Sequence, residues 1–373
     1  MSGSFPPCPQ PPDWRVDWEM YDGMYPWIRN LRGCPQDMAR HAEGDVWTHV
    51  RMVCEAMAGL DAWRALPEIE RKILFTSALL HDVAKPACLR TEQDGRISAR
   101  GHSWRGAIMA RRILWRMNLP FSWREQVAAL VRHHLVPLYL IEREDPFRLA
   151  IEVSQTARCD HLAILSEADA RGRICPDPDK LLNNIRLFAE FCQEKECLQR
   201  QFPFASDHAR FLYFHGNGRQ PDSPADEEFA CEVVLMSGLP GAGKDFWLQK
   251  NLRDWPVISL DQLRLELGVM PNEPQGAVLN KARDMAREFL RAKKSFVWNA
   301  TNLSRQVRHE CVRLYTEFGA KVRIVYREVP ADRLFHQNRQ RRNRVPVSVI
   351  ERLLDRWEVP DRTEAQQVDW VVE

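Results

Sequence analysis

Cys231-Glu-Val-Val-Leu-Met-Ser-Gly-Leu-Pro-Gly-Ala-Gly-Lys-Asp245 decides how the second half of this chain must fold. Its first six residues read as a buried strand, and a helix is expected from about Phe246. Between them Gly238, Pro240, Gly241, Ala242, Gly243, Lys244 and Asp245 fill the pattern Gly-x-x-x-x-Gly-Lys and one position beyond it. Glycines at that spacing turn successive backbone N–H groups inward, and the helix N-terminus adds positive potential, so the loop predicts a cradle for the phosphates of ATP. Lys244 is placed to reach the β- and γ-phosphates. Asp245 stands where a hydroxyl residue usually binds Mg²⁺, and a carboxylate is itself a hard-cation ligand.

Outward from the cradle, Pro256–Leu260, Ser295–Asn299 and Lys321–Arg327 are short β-prone runs separated by helical patterns, the alternation of an α/β domain with a parallel sheet. Upstream, residues 44–200 read as successive helices. Val46, Val50, Val53, Met57 and Leu60 form one apolar stripe, Ile73, Leu74, Ala78 and Leu79 another. The Gly-, Pro- and acid-rich stretch 216–228 reads as a linker or surface loop. The expected organisation is therefore an all-α domain over 1–225, with a core at about 30–180 and a connecting segment at 186–225, then an α/β domain over 226–373.

At 373 residues, with 45% apolar and 28% charged residues, two ordinary globular domains are expected. There is no apolar run of membrane-spanning length, and the N-terminus lacks the features of a signal peptide. The ten cysteines form no Cys-x-x-Cys pair, which suits reduced thiols in the cytoplasm. Residues 301–350 hold eleven Lys/Arg against four Asp/Glu, and seven of the eleven histidines fall between His41 and His161. The first bias suits a polyanionic partner and the second a metal site.

Three patches describe what receives the phosphate. Asp261, at the expected end of the second strand, could take a proton from a hydroxyl, and Arg264 could grip a neighbouring phosphate. Asn299-Ala-Thr-Asn302 ends the third strand, with Arg305, expected on substrate phosphate, and Arg308 on the helix that follows. Arg339, Arg341, Arg342 and Arg344 crowd into six residues before Val345-Pro346. In this order the patches resemble the polynucleotide 5′-kinase family over about 231–360. The resemblance implies Lys244 on phosphates, Asp261 as general base for a 5′-hydroxyl, Arg264 on the acceptor phosphate and Arg339, Arg342 and Arg344 in a lid. Two positions depart from the family pattern: Asp245, and Asn299-Ala300 where many relatives carry Asp.

In the helical half, His81-Asp82 is an adjacent pair within the expected helix Phe75–Val83, Lys85 follows it, His49 lies on the preceding helix, and Asp169 with Arg173 lies on a later one. Imidazoles and carboxylates on separate helices can converge on one metal. The pattern resembles the HD phosphohydrolase superfamily, and His41-Ala-Glu-Gly-Asp-Val-Trp-Thr-His49 is similar to the HD domains of tRNA nucleotidyltransferases. The resemblance implies His49, His81, Asp82 and Asp169 on one metal, with His102 and His133 or His134 available to a second. It places Lys85, His41 and Arg173 on substrate phosphate. A mixed His/Asp set favours Mn²⁺, Ni²⁺, Co²⁺ or Fe²⁺.

The fusion resembles bacterial bifunctional end-healing enzymes. That resemblance implies a phosphatase or 2′,3′-phosphoesterase and a polynucleotide kinase acting on RNA or DNA ends, a 2′,3′-cyclic phosphate or 3′-phosphate and a 5′-hydroxyl, before an RNA ligase seals them. A small-molecule kinase fused to a nucleotidase, and a nucleic-acid-binding regulator with a non-transferring P-loop, are the alternatives.

Overall fold

The structure, a computed structural model, describes residues 5–216, 220–270, 273–341 and 344–373. The chain divides into two compact units, Met1–Pro203 and Phe204–Glu373.

The first unit is helical. Its framework is α1 (Val46–Gly59), α2 (Glu68–Leu80), α3 (His102–Arg116), α4 (Phe121–His133), α5 (Cys159–Arg171) and α6 (Pro178–Glu194), joined by short helical turns. Asp45 caps α1 by accepting from Thr48 N at 2.8 Å. Val46, Val50, Val53 and Met57, spaced at three and four residues, are fully buried in one core with Leu74, Leu79, Val131 and Leu165. Gly101 (φ +82°) and Pro120 set the starts of α3 and α4. A small antiparallel hairpin, Arg90–Thr91 with Ile97–Ser98, was not anticipated, because two residues carry no readable alternation.

The second unit is built on five parallel strands, β1 (Cys231–Ser237), β2 (Val257–Ser259), β3 (Phe296–Asn299), β4 (Ala320–Glu328) and β5 (Gln367–Val372), in the order β2-β3-β1-β4-β5. The four anticipated strands are present. The fifth is an edge strand whose run, Gln367–Val372, follows no helical pattern the alternation could pair it with, since Asp355–Gln366 is irregular. The strand order reverses at β1, and such reversals open a crevice at the carboxyl ends of the strands, where α/β folds bind ligands. The helices used below are α7 (Asp207–His215), α8 (Lys244–Asn251), α9 (Leu260–Leu267), α10 (Gly276–Arg291), α11 (Arg305–Thr316), α12 (Ala331–Gln340) and α13 (Val347–Leu354).

Residues 204–225, expected with the first domain, belong with the second unit. Phe211 of α7 is buried in that unit's core, Arg210 Nε donates to Arg362 O at 2.9 Å, and His215 Nε2 lies 2.9 Å from Thr363 O. The described residues of the Gly/Pro-rich stretch, 216 and 220–228, lie within this unit, which is the surface-loop reading and not the linker between domains. That composition marks a turn-rich surface, which by itself does not mark a boundary.

Candidate active sites

In the helical unit, α2 stops at Leu80, one residue before the His-Asp pair that was expected inside it. Neighbouring helical residues point about 100° apart. Val83 N→Leu80 O and Lys85 N→Asp82 O turn bonds break that pattern, and both side chains can face one centre.

Four histidines are aimed by the same device. His81 Nδ1 lies 2.7 Å from Ala78 O, His102 Nδ1 2.8 Å from Ala99 O, and His134 Nδ1 2.8 Å from Val131 O. His49 Nδ1 faces Glu43 Oε1 at 2.8 Å and Gly172 O at 3.2 Å. Carbonyls only accept, so these contacts assign the proton to Nδ1 and leave each Nε2 lone pair free. The close approach of Gly172 requires glycine, since a Cβ there would lie 2.5 Å from Val53 N.

The free atoms converge. His49 Nε2 lies 3.3 Å from His81 Nε2, 3.1 Å from Asp169 Oδ1 and 3.6 Å from Asp82 Oδ2, while His81 Nε2 lies 3.2 Å from Asp82 Oδ2. On its other side Asp82 Oδ1 lies 3.3 Å from His102 Nε2 and 3.9 Å from His134 Nε2. Metal–ligand bonds of about 2.0–2.2 Å put neighbouring donors about 3.0–3.6 Å apart. Asp82 Oδ1 and His102 Nε2 are buried without a hydrogen-bond partner, while Asp82 Oδ2 has the Lys85 ammonium beside it. Electron-pair donors left facing each other away from water repel unless a cation lies between them, so this set fits a divalent metal. His49-His81-Asp169 and Asp82-His102-His134 are each compact enough to hold an ion, with Asp82 between the two groups.

The electrostatics agree. Burial would raise the Asp82 carboxyl, but Lys85 and His81 outweigh it and hold it well below the usual carboxylate range. Burial likewise opposes Arg173 and His49 at Asp169, which also ends well below that range. Burial pushes His134 down to about 3 and His41 down to about 4, so both rings are neutral near pH 7.

A cavity of about 420 Å³ opens over this floor, and its lining includes His41, Lys85 and Arg173, the three residues expected on phosphate. Lys85 Nζ pairs with Asp82 Oδ2 and Gln36 Oε1, each at 2.6 Å, and Arg173 clamps both oxygens of Asp169 at 2.8 Å.

One choice needs correcting. His134 joins the cluster, whereas the ring of His133 turns to Thr156 Oγ1, 3.2 Å from Nε2. His133 is the last residue of α4 and His134 caps it, and residues about 100° apart around a helix point in different directions. Glu43 was missed. It lies 2.8 Å from Nδ1 of both His41 and His49 and accepts from Ile174 N at 2.9 Å. Its place between His41 and Asp45, in the stretch that carries the family likeness, was the available signal.

In the second unit the loop after β1 has the geometry of a phosphate cradle. Gly238, Gly241 and Gly243 take positive φ, and a Cβ on Gly238 would meet Arg327 O at 2.3 Å. Pro240 is half-buried in the loop and Ala242 fully buried under it. Lys244 Nζ folds back to donate to Gly238 O at 2.9 Å and Leu239 O at 3.2 Å. Burial, opposed by Asp245 and Asp261, lowers its pKa to about 8. Asp245 accepts from Asn299 Nδ2 at 2.7 Å.

Asp261 is not a strand-end residue. Strand β2 stops at Ser259, which caps α9, and Asp261 sits exposed in the first turn, ion-paired with Arg264. Arg264 Nε also donates to Gln275 Oε1 at 2.7 Å. Arg305, expected on phosphate, is held by Asp361 Oδ2 and Thr363 Oγ1, both at 2.6 Å. Arg308 is fully buried against Glu364. These two arginines fasten the C-terminal segment to α11. Arg339 and Arg344 are exposed, and Arg342 lies outside the described residues. Arg341, one of the four clustered arginines but outside the lid set that the resemblance implies, is the arginine whose field reaches Lys244.

Residues 45–171 match the HD domain family and residues 233–360 match the AAA domain family. The chain carries a helical HD domain followed by a P-loop domain that matches the AAA family on a five-stranded parallel sheet, and by these domains it is an enzyme. A multifunctional CCA protein of Halorhodospira halophila is 32% identical over 112 residues, 30% of this chain and 24% of that protein. One from Variovorax paradoxus is 29% identical over 163 residues, 40% and 35% of the two chains. An A-adding tRNA nucleotidyltransferase of Deinococcus radiodurans is 42% identical over 67 residues, 18% of this chain and 15% of that one. The chain thus spans about a third or less of the curated relatives it matches. Among solved structures, a sugar kinase from Janibacter (16% identity, 38% of this chain, 85% of that one, TM-score 0.30) and a gluconokinase from Sinorhizobium meliloti (19%, 39%, 84%, TM-score 0.27) are similar. No helix among the described residues is long and apolar enough to cross a membrane.

Proposed function

We propose that the chain heals broken RNA ends, removing a 2′,3′-cyclic phosphate or 3′-phosphate at the HD site and phosphorylating a 5′-hydroxyl from ATP at the P-loop site. The observation that carries the reading is the buried Asp82, each oxygen facing a different histidine pair, under a cavity lined by Lys85, His41 and Arg173. A divalent cation bound there would supply an acidified water and polarise the phosphoryl oxygen. Mn²⁺, Ni²⁺, Co²⁺ or Fe²⁺ suits the ligand set. His49, His81, Asp82 and Asp169 would hold one ion, His102 and His134 with Asp82 a second. Lys85 and Arg173 grip the phosphate while their ion pairs keep the carboxylates charged.

At the other site Lys244 and the backbone N–H groups of 238–245 hold the triphosphate, and Asp245 holds Mg²⁺. Asp261 accepts the acceptor's hydroxyl proton, Arg264 binds the acceptor phosphate, and Arg339, Arg341, Arg342 and Arg344 gather charge on the transferring phosphoryl group. The likeness to CCA-adding proteins favours RNA over DNA. The product ends are those an RNA ligase in the cytoplasm requires. An oligoribonucleotide bearing a 5′-hydroxyl and a 2′,3′-cyclic phosphate, incubated with ATP and each metal in turn, tests this. Both ends should be converted, and a protein that phosphorylates free nucleosides or sugars as well as the oligonucleotide is not an end-healing enzyme.

A further inference from the structure

The mouth of the HD cavity carries cations that the phosphate chemistry does not use. Its floor is Asp82, Asp169, His102 and His134, but its rim comes from two segments outside that set: the loop bearing Arg40, and the hairpin of Arg90–Thr91 and Ile97–Ser98 with the residues that follow it. Arg40, Arg96 and Arg100 all line the opening and all are exposed. Arg96 is tethered to Asp94 at 2.6 Å and Arg100 lies 3.6 Å from Glu92, a loose contact on a side chain 82% exposed. Arg40 has no ion-pair partner among the described residues. The hairpin is held in shape by Glu92 N→Arg96 O at 2.8 Å, Gly95 N→Glu92 O at 3.0 Å and Gly95 at φ +80°. Arg96 is therefore presented on a fixed support.

The cavity is also larger than a phosphate requires. Pockets of about 300–1,000 Å³ take whole small organic ligands, and this one has about 420 Å³. Ile97, Leu135 and Tyr139 give it half-buried apolar wall above the polar floor. A terminal nucleotide with its phosphate on the floor and its sugar and base against these walls would direct the rest of its strand across the arginine rim. Guanidinium groups pair bidentately with phosphate, and an exposed pair with a carboxylate contributes little that a phosphate could not replace.

We propose that Arg40, Arg96 and Arg100 bind the internucleotide phosphates behind the terminal nucleotide, so that the HD site reads the 3′ end of an RNA strand in preference to a free nucleotide. This rests on the phosphoesterase reading above and adds the substrate's size and the residues that sense it.

The test compares a nucleoside 2′,3′-cyclic monophosphate with a hexaribonucleotide ending in the same cyclic phosphate, using the full chain loaded with Mn²⁺ or Ni²⁺. Wild type and an Arg40→Ala/Arg96→Ala/Arg100→Ala variant are assayed at 50 and 200 mM salt, and anisotropy of a labelled 3′-phosphorylated hexamer gives binding directly. The wild type should favour the hexamer at least tenfold in kcat/KM. The variant should lose that preference through KM, and its binding should depend less on salt, by about 0.7 in log–log slope per phosphate contact removed. Equal turnover of both substrates by the wild type, or hexamer binding unchanged in the variant, overturns the proposal. If neither substrate is hydrolysed but hexamer binding still needs the three arginines, the rim stands and the phosphoesterase reading fails.

Discussion

Asp245 Oδ1 accepts a hydrogen bond from Asn299 Nδ2 at 2.7 Å, so the two positions where the P-loop unit departs from the pattern of the polynucleotide kinases it resembles touch each other. The usual arrangement sets a hydroxyl after the cradle lysine against a carboxylate at the neighbouring strand end. Here the carboxylate sits on the helix and a neutral amide on the strand, which leaves the pair's summed charge unchanged. If Asp245 is the Mg²⁺ ligand, Asp245→Ala should lower ATP turnover by about 100-fold or more, the scale of losing a charged group from a phosphoryl-transfer site. The double change Asp245→Ser with Asn299→Asp should recover most of that loss, and Asn299→Asp alone should not. Steady-state kinetics across a Mg²⁺ titration reads all three, and full turnover in Asp245→Ala sinks the assignment.

The two activities should separate by mutation. Asp82→Ala should abolish phosphoesterase activity and leave kinase activity within about twofold, since its partners Lys85, His81 and His102 all lie in the helical unit. Lys244→Ala should do the reverse. Asp261→Asn should lose phosphorylation with ATP binding intact, because a base acts on the acceptor. Loss of both activities in a folded single mutant would contradict independent sites.

His134→Ala should lower bound transition metal, measured by mass spectrometry of the folded protein, while His133→Ala should keep the wild-type content. His133 spends its ring on Thr156, and His134 aims Nε2 at Asp82.

Glu43→Gln should weaken metal binding by about 10–100-fold, the usual effect of removing a partner that orients a ligating histidine. Glu43 faces Nδ1 of His41 and of His49 and accepts the N–H of Ile174, and an amide can supply one accepting oxygen in place of two. Isothermal titration with Mn²⁺ gives the affinity, and an unchanged value would make Glu43 incidental to the site.

Binding of ATP should take up protons at Lys244. Its pKa is lowered by burial to about 8, so near pH 8 about half the free protein carries a neutral lysine there. Phosphate favours the charged form, so affinity should be full below pH 8 and fall as pH rises above it. Calorimetry in buffers of different ionisation enthalpy should show the uptake in wild type and none in Lys244→Arg.

Much of this protein was legible in its sequence because the deciding signals are local. The stripe on α1 and the strand–glycine–lysine–helix order at 231–251 each act within a few residues, and the structure keeps them. His49, His81, Asp82 and Asp169 were recognisable by type and order, and the fold brings them together. Tertiary structure decided the rest, because it depends on where helices stop and what arrives from far along the chain. One residue at the end of α4 selects His134 over His133. The end of α2 at Leu80 lets a His-Asp pair share a centre, and Gly172, 123 positions from His49, fixes which nitrogen of that ring is free. Arg305 was expected on phosphate, but Asp361 and Thr363 arrive beside it, and the helix at 207–215 found its core in the second unit. A sequence specifies side chains and local geometry, whereas the partner that neutralises a charge is chosen by the packing of elements far apart in the chain.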